Sequence, residues 1–259
     1  MIDTHCHLDL TAFDSDRPAV LARSRQAGVN RWVVPGIEIE GFEGILSLTR
    51  SNPAIHPALG LHPLYLPTNP PAALDHLAGL LDHHRWDPSP IIAIGEIGLD
   101  YTAPQESHGA QQALFDAQLQ LAQDRKLPVL LHVRKAHDQV IGLLKKRPLA
   151  RGGIVHAFNG SITQARRYID LGFALGCGGV VTRERALKIR RVAASLPETS
   201  LVLESDAPDM APQGYQDTRN EPCHLPLIAQ ALAHLHKVPV ERIMAVTETN
   251  TRRVLAIGE

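Results

Sequence analysis

The sequence predicts an α/β protein, a single (β/α)8 TIM barrel running over residues 1–259. Short apolar segments rich in Val, Ile and Leu alternate eight times with helical segments, the pattern of a parallel sheet buried on both faces. A length of 259 residues suits one such barrel. No Gly-x-Gly-x-x-Gly and no phosphate-binding loop follows the first strand, which argues against an open nucleotide-binding sheet.

Taken in order, the chain opens with an extended stretch, Met1-Ile2-Asp3-Thr4-His5-Cys6-His7-Leu8-Asp9. A helix over Asp14 to Gly28 is closed by the glycine, and Arg31 to Pro35 reads as the second strand. A helix near Gly41 to Arg50 precedes a strand from Ile55 to His62, and one near Ala72 to His84 precedes Ile91 to Glu96. Gln111 to Arg125 is amphipathic and leads to a strand over Leu127 to His132. His137 to Lys146 leads to Gly153 to His156, Ile162 to Leu171 to Phe173 to Cys177, and Arg185 to Leu196 to the last strand, Leu201 to Asp206. A loop rich in Pro, Gly and polar residues reaches about Pro222, and helices near Leu225 to His236 and Val240 to Leu255 end the chain.

Composition narrows the classes of function. A net charge of −1 supplies no global field to hold long nucleic acid, so any phosphate contact must be local. No run approaches the roughly 18 apolar residues of a membrane span. His5 follows Met1 too closely for a secretory signal of the usual form. Cys6, Cys177 and Cys223 are odd in number and far apart, which argues for a reducing, cytoplasmic setting. A monomer is expected.

In an extended strand His5 and His7 share a face, at a spacing one metal ion can take up, while Cys6 turns to the opposite side as a small apolar residue. A His-x-His pair alone is weak, because a chain with 14 histidines produces it by chance. Its weight comes from what stands at the other predicted strand ends, where barrels of this kind place their chemistry: His62, Glu96, His132, His156 and Asp206. Their separations match whole numbers of βα units. Taken singly, each has a bland explanation, a core histidine or a capping carboxylate; jointly they point to metal.

Four histidines and two carboxylates are too many for one open tetrahedral zinc and suit two divalent ions per chain. Glu96 is the natural bridge, with His5, His7 and Asp206 on one ion and His132 and His156 on the other. Zn, Mn, Mg, Ni and Fe are not distinguished by these ligands. Such a pair activates a water that attacks phosphorus or acyl carbon alike, with Asp206 as general base and ligand. His62 is a donor to the phosphoryl oxygens, against a reading as a turn cap before Pro63. Arg134, two residues past His132, is placed to fork onto a phosphate, against a reading as a solvated arginine. Glu204 is placed to hydrogen-bond a ligating imidazole.

The segments Ile2 to Asp9, Gly60 to Pro63, Gly95 to Asp100, His132 to Arg134, His156 to Gly160 and Leu203 to Pro208 resemble, in order, the signatures of the TatD-related metal-dependent DNases. Asp206 to Met210, Gly214 and Asn220 to Pro222 look most like the YjjV-like branch. The resemblance implies a barrel of the metallo-dependent hydrolase type with His5, His7, Glu96, His132, His156 and Asp206 as ligands. It implies a divalent-metal-dependent phosphodiesterase or deoxyribonuclease, exonuclease-like, acting on DNA or short oligonucleotides. Val133 stands where many members carry Ser or Cys, and is expected to face away from the ligands. The alternative is a binuclear hydrolase of an amide, ester or lactone. Related barrels of that kind bridge their metals with a modified lysine, and no lysine falls at a predicted strand end here.

Overall fold

A computed structural model describes residues 1–258. Its eight strands are β1 (Ile2–Asp3), β2 (Arg31–Pro35), β3 (Ile55–Ala58), β4 (Ile94–Asp100), β5 (Val129–Arg134), β6 (Gly153–Val155), β7 (Phe173–Cys177) and β8 (Leu201–Leu203). All neighbouring pairs are parallel, in runs β1-β2-β3 and β4-β5-β6-β7-β8. The two runs are joined where Ala58 bridges Ala93 and the Gly95 amide donates to Leu59 O at 3.1 Å. At the other seam the Thr4 amide donates to Leu203 O at 3.0 Å and the Asp206 amide to His5 O at 2.9 Å. The ring of strands is therefore continuous, the predicted barrel.

The interior is filled as strand alternation requires. Ile2, Val33, Ala58, Ala93, Leu130, Ile154, Ala174 and Val202 form one apolar cluster, with Val254, Leu255 and Ile257 plugging its amino-terminal end. Their neighbours along the strands, such as Trp32, Val34, Leu131 and Val155, point outward into a second, larger cluster shared with the helices. Burying a side chain of this size contributes about 1.5–3 kcal/mol, so the two layers supply most of the drive to fold.

The helices are α1 (Arg17–Gln26), α2 (Ile39–Ser51), α3 (Pro70–His83), α4 (His108–Arg125), α5 (His137–Lys146), α6 (Ile162–Asp170), α7 (Leu187–Ser195), α8 (Leu225–His236) and α9 (Val240–Leu255). Local chemistry fixes several starts. Asn69 accepts from the Ala72 amide before the two prolines that open α3, and Ser161 with Gln164 forms a capping box on α6. No helix among the described residues is long and apolar enough to cross a membrane.

Several predicted bounds move. β4 covers Ile94–Asp100 rather than Ile91–Glu96, because its ladder with β5 starts at Ile94 and its register shifts before Ile97. β5 likewise runs on to Arg134. β1 ends at Asp3 and β8 at Leu203, so His5, His7 and Asp206 sit on segments that leave the sheet. The first helix starts at Arg17, after a separate 3-10 turn over Thr11–Phe13.

Candidate metal centre

Strand parity delivers most of the polar cluster. Two residues beyond the interior positions Leu130, Ile154 and Val202 come His132, His156 and Glu204, one layer nearer the carboxyl mouth. On β4 the register shift brings Glu96 into this layer, and the same alternation then raises Asp100 beside it. Asp206 arrives differently, held at a left-handed φ of 56° just past β8. His5 and His7 come from the extended segment after β1, while Cys6 between them is fully buried among apolar residues and bonds toward Val33 O.

Glu96 lies at the middle of the cluster and divides its oxygens. Oε2 is 3.2 Å from His5 Nε2 and 3.8 Å from His7 Nε2. Oε1 is 2.8 Å from His132 Nδ1 and 3.7 Å from His62 Nε2. Asp206 Oδ1 stands 3.8 Å from both His5 and His7 and 3.4 Å from His156 Nε2. Three groups of these side chains are close enough to hold a cation: His5, His7 and Asp206; His5, Glu96 and His156; and His62, Glu96 and His132. The grouping departs from expectation in one respect. His156 stacks on His5 with ring centroids 3.6 Å apart, and it is His62 that faces His132 across Glu96.

Behind the two imidazoles from β5 and β6 stand two further carboxylates. Asp100 Oδ2 is 2.9 Å from His132 Nε2, and Glu204 Oε1 is 3.1 Å from His156 Nδ1. Asp100 is itself anchored, accepting from the Thr102 amide at 2.8 Å and from its hydroxyl. Glu204 accepts from the Ala157 amide at 2.6 Å. Asp100 carried no assigned role in the sequence, although its alternation with Glu96 on one strand was the available signal. Asp3 was missed as well. It is buried at the β1–β8 seam and accepts from the Ser205 amide at 2.9 Å and hydroxyl at 2.6 Å, with burial pushing its carboxyl up to about 7.

The electrostatics state what the cluster lacks. Burial favours neutral imidazoles, yet Glu204 and Asp206 draw His156 well above its usual value, and the hydrogen bonds of Asp100 and Glu96 raise His132. Burial would likewise favour neutral carboxyls, yet Glu96 is held well below the carboxylate range by His5 and His132, and Asp206 is lowered by His156. Three buried carboxylates and the partly open Asp206 thus compete for positive charge. Burial and His156 lower His5, whose buried Nε2 stands 3.2 Å from Glu96 Oε2 yet has no hydrogen-bond partner. An orphaned imidazole nitrogen aimed into an acidic cluster fits a divalent cation.

The remaining sequence candidates flank the centre. His62 is buried, its Nδ1 accepts from the Leu64 amide at 3.1 Å, and burial lowers it to about 4. The ring is therefore neutral, with Nε2–H directed at the cluster. Arg134 is exposed at the mouth, its Nη1 4.0 Å from Asp100 Oδ2. Because β5 ends at Arg134, Lys135 does follow a strand end, against expectation; it is exposed and stands outside the cluster.

Residues 2–256 match the TatD related DNase family. The chain is 41% identical over 250 residues to the metal-dependent hydrolase YjjV of Escherichia coli (strain K12), covering 96% of this chain and 95% of that protein. It is 31% identical over 265 residues to the 3′-5′ ssDNA/RNA exonuclease TatD of Pantoea sp. (strain At-9b), covering 100% of both. The crystal structure of Escherichia coli K12 YjjV superposes with a TM-score of 0.94 at 40% identity, covering 100% of this chain and 98% of that one.

Proposed function

The chain belongs to the TatD related DNase family and is a metal-dependent hydrolase, and from that premise we propose that it cleaves phosphodiester bonds at an end of single-stranded DNA or a short oligonucleotide. The observation that carries this is the division of Glu96, one oxygen toward His5 and His7 and the other toward His132. A carboxylate so placed suits two divalent ions sharing one ligand, with His5, His7 and Asp206 on one side, His132 on the other, and His156, stacked on His5 and 3.4 Å from Asp206, as a further donor. The nitrogen-rich donor set suits Zn, Mn, Fe or Ni better than Mg. Bound there, such ions lower the pKa of water and offset charge on phosphoryl oxygens.

The chain's own groups then divide the work. Asp206 is the most open carboxylate of the cluster, its side chain 13% exposed against 4% for Glu96 and none for Asp100 or Glu204. It is ionised and reachable from the mouth, so it accepts the proton of the attacking water. His62, neutral and with Nδ1 satisfied by Leu64, donates through Nε2–H to a phosphoryl oxygen. Arg134 holds an adjoining phosphate. Glu96 keeps the cluster together rather than moving a proton.

A single chain supplies every residue of the cluster, which favours action as a monomer. Three free cysteines, one of them fully buried, favour a cytoplasmic setting. The test is end-labelled single-stranded DNA given to metal-stripped protein with and without added Mn²⁺. Shortening from one end that requires the metal and stops with chelator supports the proposal. Unchanged cleavage after exhaustive stripping, or turnover of carboxylic esters or lactones alone, overturns it.

A further inference from the structure

A cavity of about 630 Å³ opens from the metal centre on the side of β5 to β8. His132, His156 and Asp206 stand at its mouth, with Arg134 and Lys135 on the rim. Its interior is of another character. Leu175, Val181, Ile189, Val192, Ala193 and Leu196 wall it, all of them apolar.

The seventh βα unit creates this space. The short α7 packs chiefly on α8 and on the 3-10 turn over Gly179–Thr182, not on the strand that precedes it. An apolar wall left unfilled costs stability, so a recess of this size beside a reactive centre is a ligand site by default. The one side-chain amide lining it is already committed. Asn159 donates to Val133 O at 3.2 Å and Ala157 O at 3.1 Å, and its Oδ1 faces His137 Nε2 at 3.2 Å.

A group that enters here is apolar or flat, presents few hydrogen bonds to the walls, and is joined to a phosphate that stays at the metal centre and the cationic rim. Resting on the phosphodiesterase reading above, we propose that the recess seats the terminal nucleoside of the substrate. It takes the base by shape and burial, without distinguishing one base from another. A base still paired in a duplex cannot enter, so the recess also selects single strands.

The experiment compares ligand binding to the Mn²⁺-loaded full chain by calorimetry, using dTMP, dAMP and inorganic phosphate. If the recess is the nucleoside seat, both nucleotides bind roughly tenfold or more tighter than phosphate, since burying one base is worth that much. Ala193→Trp, which fills the recess, then brings both nucleotides to the affinity of phosphate while metal content and phosphate binding stay unchanged. Val181→Phe serves the same purpose should Ala193→Trp fail to fold. Equal affinity for all three ligands in the wild type overturns the proposal. So does a nucleotide preference that survives in the filled, metal-loaded variant, and so does a preference for one base alone. Cleavage of single-stranded DNA, assayed in parallel, separates the two readings: cleavage without nucleotide preference sinks the recess only, and nucleotide preference without cleavage upholds the recess and sinks only the polymeric substrate.

Discussion

Asp100 Oδ2 stands 2.9 Å from His132 Nε2, and this contact decides which nitrogen of the ring is turned to the centre: Nδ1, at 2.8 Å from Glu96. Just past β6 the arrangement is reversed, with Glu204 beside Nδ1 of His156 and Nε2 turned to Asp206. The two outer carboxylates thus select opposite tautomers of the two rings.

Asp100→Asn removes the acceptor that keeps the proton on His132 Nε2. Metal affinity, measured by competition with a chromophoric chelator, is expected to fall about 10- to 100-fold, the usual effect of losing such a partner. Thermal stability of the metal-free protein should change little, because Thr102 and the backbone lock from Gln111 persist in the variant. Unchanged affinity would remove Asp100 from the metal site.

Asp206→Asn tests the proton acceptor. Turnover should drop on the order of 10²- to 10⁴-fold, the range for losing a positioned general base. Circular dichroism should match the wild type, since the Asp206 amide bond to His5 O that closes the barrel does not involve the side chain. Metal content is to be measured alongside: a variant that keeps the wild-type metal content and full activity would dismiss Asp206 from catalysis.

His56 gives a pH dependence outside the centre. It is partly buried on β3 with Nε2 unpartnered, and burial, aided by Arg31 and Arg252, lowers it to about 4 from an ordinary 6.5. A base with a depressed folded value is favoured neutral, so its stabilisation is whole above pH 6.5 and is lost as pH falls toward about 4. His56→Leu should flatten the fall in melting temperature across that window. Parallel melting curves for wild type and variant between those pH values would dismiss the assignment.

These relationships were legible in the sequence to different depths. The βα alternation fixed the barrel, because buried parallel strands need apolar runs and the helices between them carry their own caps and periodicity; β2, β7, α5, α8 and α9 fall where the pattern puts them. The strand ends did not follow, since partners across the sheet set them. Ile91 to Ala93 has the composition of a strand, yet only from Ile94 does β5 offer a ladder. Hence Glu96 was found and Asp100, four residues on, was passed over. His5, His7 and Asp206 were placed on strands that stop short of them, and a left-handed Asp206 leaves no mark in local sequence.

Gly176 shows how closely backbone and cluster are fitted. It lies on β7 two residues past the interior Ala174, and a Cβ there would lie 2.2 Å from Glu204 Oε2 and 2.6 Å from its Cδ. Glu204 is fully buried, so it cannot swing to solvent to make room. In Gly176→Ala the carboxylate must move, which takes it from His156 Nδ1 and from the Ala157 amide. Overpacking of this kind costs about 1–3 kcal/mol, and the melting temperature should fall accordingly. The informative measurement is the pair Gly176→Ala and Glu204→Gln compared for metal affinity. If glycine is needed to admit Glu204, both variants weaken metal binding and the double variant is less than additive. Strict additivity would mean that Gly176 serves the sheet alone.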